Sequence, residues 1–340
     1  MKDSLVSVIV ASHNGERFLE DLMNSISNTN YNNFEVIFVD NASTDRSLEI
    51  VRKFKKKIRL KVIKNEKNLG YAAGCNIGAE HASGEFLVFM NADIRVDKNW
   101  LKELVNYLKK HENIGIAQAK LLQFKNPKLI DSFGCYIDCF GFAYEDERGT
   151  EDVFKLPREI FYANGATIVV RRKIYEELKR NGMEIFNPKF FIYSEDLEAS
   201  WKARLLGYKI VVVPSSIVFH KRGASNLKTI KPNLLFLSVK NKISTLLECY
   251  SSVSLLITLP FSISFEILRS IFYLFSSTKH TLAIWKGICW NIANIPSILK
   301  EREKIQKIRR VSDHEILKIM KKFDLRSLIN AYRKMYIVKD

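Results

Sequence analysis

Cysteine is scarce in this chain. Five residues in 340 (Cys75, Cys135, Cys139, Cys249 and Cys289) are too few and too scattered for a disulfide framework. Cys135 and Cys139 have the spacing to share a helix face, but no second Cys/His pair completes a zinc site, so free thiols are expected. Fourteen glycines and seven prolines form no collagen-like repeat, and 47% hydrophobic with 27% charged residues excludes a disordered chain. A secretory leader is not expected from the opening residues: the apolar run Leu5–Ala11 is strand-length and ends in His13-Asn14-Gly15 without a cleavage site. The first 240 or so residues are therefore expected to face the cytosol. Acidic residues are the minority, 37 against 54 Lys and Arg, leaving a net charge of +17.

That excess is clustered. One run is Arg52-Lys53-Phe54-Lys55-Lys56-Lys57; others are Lys300 to Arg310, Lys321-Lys322 and Arg333-Lys334. Basic runs suit nucleic acid, an anionic membrane surface or plain solvent. Upstream of the C-terminal clusters, Cys249–Phe265 carries no charge but is shorter than the ~20 residues a spanning helix needs. Glu266 and Arg269 interrupt before Ser270–Phe275, and a third apolar piece holds Trp285 and Trp290. Apolar and aromatic pieces beside basic clusters predict helices lying in a membrane interface. Burial in the helical core of a homodimer and a transmembrane hairpin are the alternatives.

Residues 5–10 read as a buried strand and Arg17–Ile26 as an amphipathic helix. Phe34–Val39 is a second strand, followed by a helix opening at Ser47. Leu60–Ile63 is a third strand, Tyr71–His81 a small-residue helix and Phe86–Met90 a fourth strand. Strands and helices alternating at this spacing predict an α/β fold with a mostly parallel sheet and right-handed crossovers. In such sheets ligands lie outside the carboxyl ends of the strands. The polar residues fall there: Ser12-His13-Asn14, Asp40 and Asn91-Ala92-Asp93. Beyond residue 100, residues 120–160 read as loops and short strands, Tyr193–Arg204 as a helix, and Lys209–Pro214 as a strand followed by Ile217–His220. The chain turns helical and basic near 230, predicting a catalytic domain over 1–230 and a membrane-associating helical region over 231–340.

The runs VSVIVASHNG, VDNASTD and NLGYAAGCNIGAEHASGEFLVFMNADI, then ANGATIVVRRKIYEEL and FFIYSEDLEASWKARLLGYKIVVVPSSIVFH, resemble inverting glycosyltransferases of family 2, closest to the rhamnosyltransferase-like branch. The resemblance spans roughly residues 5–225. It implies a GT-A fold, Rossmann-like, with a C-terminal membrane-proximal helical tail. It also implies a nucleotide-sugar donor carrying UDP or dTDP, and a glycan or lipid-linked acceptor at the inner face of the cell membrane.

Residue roles follow from that likeness and from chemistry. Asp40 can accept from the imide N–H of uracil or thymine. As a turn or helix-capping residue it would be merely structural, but Ser43 is the more natural cap for the following helix. Ser12, Asn14 and Asn41 line base and ribose. Asn68 and Asn76, with Gly70, Gly74 and Gly78, let a helix approach the nucleotide closely. Asn91-Ala92-Asp93 matches the family's metal-holding triplet with Asn in the first place, leaving Asp93 as principal ligand. His220 completes the site, for Mg²⁺ or Mn²⁺. Lys221 and Arg222 either touch the diphosphate or sit in solvent. Asp196 is the expected base, supported by Glu195, and Gly165-Ala166 form a turn beneath the acceptor. Gly70-x3-Gly74-x3-Gly78 is not a dinucleotide motif, so an NAD enzyme is not expected. Nucleic-acid binding would not place carboxylates at the strand ends, and an inactive scaffold would have no need of Asp93, Asp196 and His220.

Overall fold

Three strand–helix repeats open the chain and set the frame for everything after them. β1 (Val6–Ser12), β2 (Phe34–Asp40), β3 (Leu60–Lys64) and β4 (Phe86–Met90) run parallel in the order β3-β2-β1-β4. β1 and β4 are buried along their whole length, the continuous apolar runs that a sheet covered on both faces requires. The crossovers are α1 (Glu16–Ser27), α2 (Ser47–Arg52) and α3 (Gly70–Glu80). α1 buries Leu19, Leu22, Met23 and Ile26, one stripe at helical spacing. Ser12 pairs directly with Asp40, so both strands deliver their polar ends to the same edge.

The computed structural model describes residues 3–145, 147–222, 230–324 and 326. The chain divides into two units, Met1–Cys135 with Glu145–Gly223, and Tyr136–Tyr144 with Ala224–Asp340. In the first, β5 (Ile94–Val96) and α4 (Trp100–Lys110) lead into the long β6 (Ile114–Gln123) and short β7 (Ile130–Ser132). A small hairpin, β8 (Tyr136–Ile137) with β9 (Ala143–Tyr144), belongs to the second unit. The chain then returns through β10 (Arg158–Glu159), β11 (Thr167–Arg171), α5 (Arg172–Arg180), α6 (Glu195–Leu205) and β12 (Lys209–His220). The parallel pattern holds only as far as β4. β11 inserts antiparallel to both β4 and β6, and β12 lies parallel to β6, so this half of the sheet is mixed.

Two local readings are revised. Ser43 caps no helix, because α2 begins at Ser47 and its N-cap position is Arg46. The segments 209–214 and 217–220 form one strand, whose register against β6 shifts between Val213 and Ile217. Pro214 lies in that interval and has no N–H to donate, so the ladder yields there rather than ending.

The second unit is helical: α7 (Pro232–Cys249), α8 (Ser252–Leu274), α9 (Thr278–Ala293), α10 (Ile295–Lys307) and the short α11 (Asp313–Leu317). Leu235, Val239, Ile243, Ala283, Ile284 and Ile288 form its core with Tyr273. The apolar pieces expected on either side of Glu266 and Arg269 are one 23-residue helix, long and apolar enough by length and composition to cross a membrane. The charges do not break it because they are paired inward: Lys242 Nζ lies 2.6 Å and Arg269 2.5 Å from Glu266. α8 is amphipathic in the reverse sense. Thr258, Ser262, Glu266 and Ser270 are buried, whereas Val253, Leu256, Ile257, Leu268 and Phe272 are exposed.

Candidate active site

The first group of candidate residues is built from two loops that bind each other. The loop after β1 carries Asn14 at φ 52°, and the loop after β2 carries Ala42 at φ 56°. Asn14 donates its N–H to Ser43 Oγ (2.9 Å) and accepts on Oδ1 from the Thr44 N–H (2.8 Å), so Ser43 serves the loop and not the helix. Asp40 is fully buried at the floor. Both its oxygens lie 3.3 Å from the Ser43 N–H. Such long bonds leave a carboxylate with spare lone pairs for another donor.

Asn41 braces this floor. Its Nδ2 donates to Gly70 O (2.9 Å) and its Oδ1 accepts from Asn65 (2.8 Å), while Asn68 Oδ1 accepts the Gly70 N–H (2.9 Å). Asn76 does not join them. It is buried, with Nδ2 donating to Phe186 O (2.7 Å) and Oδ1 accepting the Phe186 N–H (3.2 Å), so its amide ties α3 to a loop. Gly74 and Gly78 likewise serve the sheet: a Cβ on Gly78 would lie 2.4 Å from Ile9, and one on Gly74 2.8 Å from Asn41. They bring α3 close to the strands.

On the other side of β1, the Asn91 N–H donates to Ala166 O (3.2 Å), and Asp93 lies two residues further. Asp93 Oδ1 stands 3.5 Å from His220 Nε2, while His220 Nδ1 is 2.8 Å from Asp131 Oδ2. Burial disfavours the imidazolium, but hydrogen bonds to Asp131 and Asp93 outweigh it and raise the His220 pKa above its ordinary value. Neutral His220, donating from Nδ1 to Asp131, would turn its Nε2 lone pair toward the Asp93 carboxylate. Two acceptors facing each other need a proton or a cation between them. Neighbouring ligands of one divalent cation are about 3 Å apart, so an imidazole and a carboxylate at this spacing fit such an ion. Among the described residues no group of three or more His, Cys, Asp and Glu converges on one point, so further ligands would come from elsewhere.

Neither neighbour of His220 is a loose surface cation. Lys221 ion-pairs with Asp21, and its N–H donates to Asp93 O at 2.9 Å. Arg222 turns inward to Asp131 and Glu145.

A further group of candidate residues lies at the start of α6. Phe191, Tyr193 and Ser194 all have positive φ (64°, 74° and 63°), a cluster of strained backbone immediately before Glu195 and Asp196. Non-glycine residues hold such conformations only where the surroundings impose them, typically at functional sites. Asp196 Oδ2 accepts the Gly165 N–H at 2.9 Å, and Gly165 O in turn accepts from Tyr71 Oη at 3.2 Å. Burial raises the Asp196 pKa, although the bonds from Gly165 and Leu197 pull against it. Burial and the adjacent Asp196 charge raise Glu195 as well. The arrangement keeps one carboxylate fixed and unusually basic, which suits a proton acceptor.

Several residues of the site were not singled out by sequence reasoning. Tyr71 and Asn164 stand inside the quoted motifs but have no chemistry of their own there. Asp131 and Glu145 carry no local signal, because contacts across 89 and 77 residues place them.

The comparisons with known proteins bear on the family and the fold. The model of glycosyl transferase family 2 matches residues 7–179. An uncharacterized glycosyltransferase of Haemophilus influenzae is 30% identical over 79% of this chain and 84% of its own length. The poly(ribitol-phosphate) β-N-acetylglucosaminyltransferase TarS of Staphylococcus aureus is 28% identical over 63% of this chain, which spans only 35% of TarS. The crystal structure of TarS residues 1–349 with UDP-GlcNAc superposes with a TM-score of 0.57 at 20% identity, covering 94% of each chain. A mannosyltransferase of Pyrobaculum calidifontis, solved with GDP-Man and Mn²⁺, gives a TM-score of 0.52 at 15% identity over 89% of this chain and 85% of its own. With a GT-A sheet, polar strand ends and a buried carboxylate at a strained helix start, the chain belongs to glycosyl transferase family 2.

Proposed function

We propose that this chain transfers a sugar, with inversion, from a UDP- or dTDP-linked donor to a hydroxyl of a glycan or lipid-linked acceptor in surface polysaccharide synthesis. The observation that carries the reading is Asp196, a buried carboxylate fixed by the Gly165 N–H behind three left-handed residues. A single displacement needs one base. The acceptor hydroxyl gives its proton to Asp196 as its oxygen bonds the anomeric carbon; the bond from that carbon to the diphosphate breaks, and the nucleoside diphosphate leaves with the electron pair. Burial and the Glu145 charge raise the basicity of Asp196, and burial and the Asp196 charge raise that of Glu195 beside it. Asp40, Ser12 and Asn14 hold the base and ribose. A divalent cation, Mg²⁺ or Mn²⁺, held by Asp93 and His220 would neutralise the charge that grows on the leaving group.

A uridine donor is favoured by the TarS relative, solved with UDP-GlcNAc. dTDP-rhamnose presents the same imide to Asp40, and the motif likeness suggests it. A thermal-shift panel with UDP, dTDP and GDP, each with and without Mn²⁺, tests the reading. A ligand at about 100 times its dissociation constant stabilises by about 2.7 kcal/mol. A metal-dependent shift with UDP or dTDP is expected; no shift with any nucleotide would remove the assignments.

The same proposal places the protein peripherally on the inner membrane face. The support is α8, which exposes Val253, Leu256, Ile257, Leu268 and Phe272 while Thr258, Ser262, Glu266 and Ser270 are buried. Leu282, Trp285, Ile292 and Leu299 are exposed on the helices that follow, with Lys279, Lys286 and Lys300 among them. Apolar side chains interleaved with lysines suit an anionic lipid surface.

A further inference from the structure

The two reactive ends of this site are joined through one arginine. Arg222 follows β12 with a left-handed backbone, φ 49°, and its side chain is only 15% exposed. Its Nε donates to Asp131 Oδ1 at 2.6 Å, and Asp131 Oδ2 holds His220 Nδ1 at 2.8 Å. Its Nη2 reaches Glu145 Oε2 at 3.4 Å. Glu145 Oε1 accepts from Asn164 Nδ2 at 2.9 Å, and Asn164 Oδ1 accepts the Ala166 N–H at 3.0 Å. That closes the turn whose Gly165 N–H aims Asp196.

The chemistry requires an arginine at the centre. Asp131 and Glu145 are separate carboxylates that face one guanidinium, and a planar fork with five donors can serve both at once. An ammonium is a point charge and would have to choose. Asp131 in turn fixes which imidazole nitrogen faces Asp93, the usual task of a carboxylate behind a ligating histidine. On the other arm, Asn164 is held at both ends of its amide, so the turn at 164–166 has no freedom to tilt.

We infer that Arg222 is a positioning residue for both ends of the reaction centre, orienting His220 through Asp131 and Asp196 through Glu145 and Asn164. The inference rests on the proposed function. It divides the effects of neighbouring substitutions into two classes, with Arg222 alone in both.

The test measures two quantities on the full chain. One is the affinity for UDP, or for dTDP where the wild type prefers it, with and without Mn²⁺, by calorimetry. The other is release of that nucleotide at saturating donor and Mn²⁺, using whichever of UDP-GlcNAc, UDP-glucose, UDP-galactose and dTDP-rhamnose the wild type turns over fastest. Glu145→Ala is expected to slow release while leaving Mn²⁺-dependent UDP affinity unchanged. Asp131→Asn is expected to weaken that affinity by about 10- to 100-fold, the usual effect of losing such a partner. Arg222→Gln should do both, and Arg222→Gln/Glu145→Ala should slow release no further than the worse single variant. Melting curves establish that each variant is folded. Should Arg222→Gln not fold, Arg222→Lys, which keeps the charge without the fork, carries the same expectation in reduced size. A folded Arg222 variant that alters only one of the two quantities, or neither, overturns the inference. Failure of the wild type itself to bind either UDP or dTDP, and to release either from any donor, removes the proposed function, and this inference with it.

Discussion

At the residue scale the decisive group is Asp196. Replacing it by Asn should cut turnover by about 10²- to 10⁴-fold, the range for losing a positioned base, while the UDP-induced thermal shift survives; persistent turnover would remove it as the base. Its raised pKa has two consequences of opposite sign. The base must be deprotonated, so activity should fall with decreasing pH along a limb set above the ordinary carboxylate range, which a pH profile of turnover reads directly. Stability moves the other way. Because the folded state holds the Asp196 proton more tightly than the unfolded chain, this group's contribution is favourable below the unfolded pKa and is lost as pH rises through the folded value. Asp196→Asn should therefore melt no lower, and at neutral pH higher, than the wild type, because it removes a charge that burial penalises. A variant both inactive and destabilised would mark Asp196 as structural.

At the scale of elements, the segment 191–194 depends on Gly70 at the start of α3. Gly70 has φ 83°, and a Cβ there would lie 2.5 Å from the Phe191 ring and 2.6 Å from its carbonyl oxygen. Gly70→Ala therefore meets backbone as well as a ring and should cost roughly 1–3 kcal/mol. That is a melting temperature lower by several degrees, with turnover reduced because the segment runs straight into Glu195; an unchanged melting curve would show that the loop yields. Elements with strong local patterns were legible in the sequence: β1, β2 and β4 by their apolar runs, and α1 by its stripe. The strand-end residues Asp40 and Asp93 followed from topology alone. β6 and the pairing of β11 were not legible, because residues 120–160 interleave turns with aromatics and mixed pairing leaves no periodic trace. Asn76 and Gly78 sit in a motif that reads as nucleotide-facing, yet they are spent on Phe186 and Ile9, contacts set by packing that spacing does not encode. The helix through Glu266 was hidden for a related reason. A charge reads as an interruption until the partner that buries it, Lys242, is known.

At the scale of the whole molecule, the open question is what covers the apolar face of α8. Fully burying a Leu, Ile or Phe side chain contributes about 1.5–3 kcal/mol, so Leu256, Ile257 and Phe272, all at least 70% exposed, would bind a bilayer interface cooperatively. Each lysine near an anionic surface adds about 1 kcal/mol. The full chain should therefore float with vesicles of phosphatidylcholine and phosphatidylglycerol, more weakly in high salt and more weakly with phosphatidylcholine alone. Leu256→Asp/Ile257→Asp/Phe272→Asp should stay at the bottom of the gradient while keeping its thermal shift with UDP, since these side chains belong to the helical unit and not to the loops that carry Asn14 and Asp40. Light scattering separates the alternative. A wild type that is dimeric without lipid, and that the triple variant converts to a monomer, would assign this face to a second copy of the chain. A wild type that is monomeric and fails to float would leave neither reading standing, since an inverted helix costs solvent exposure that only a partner or a lipid surface can recover.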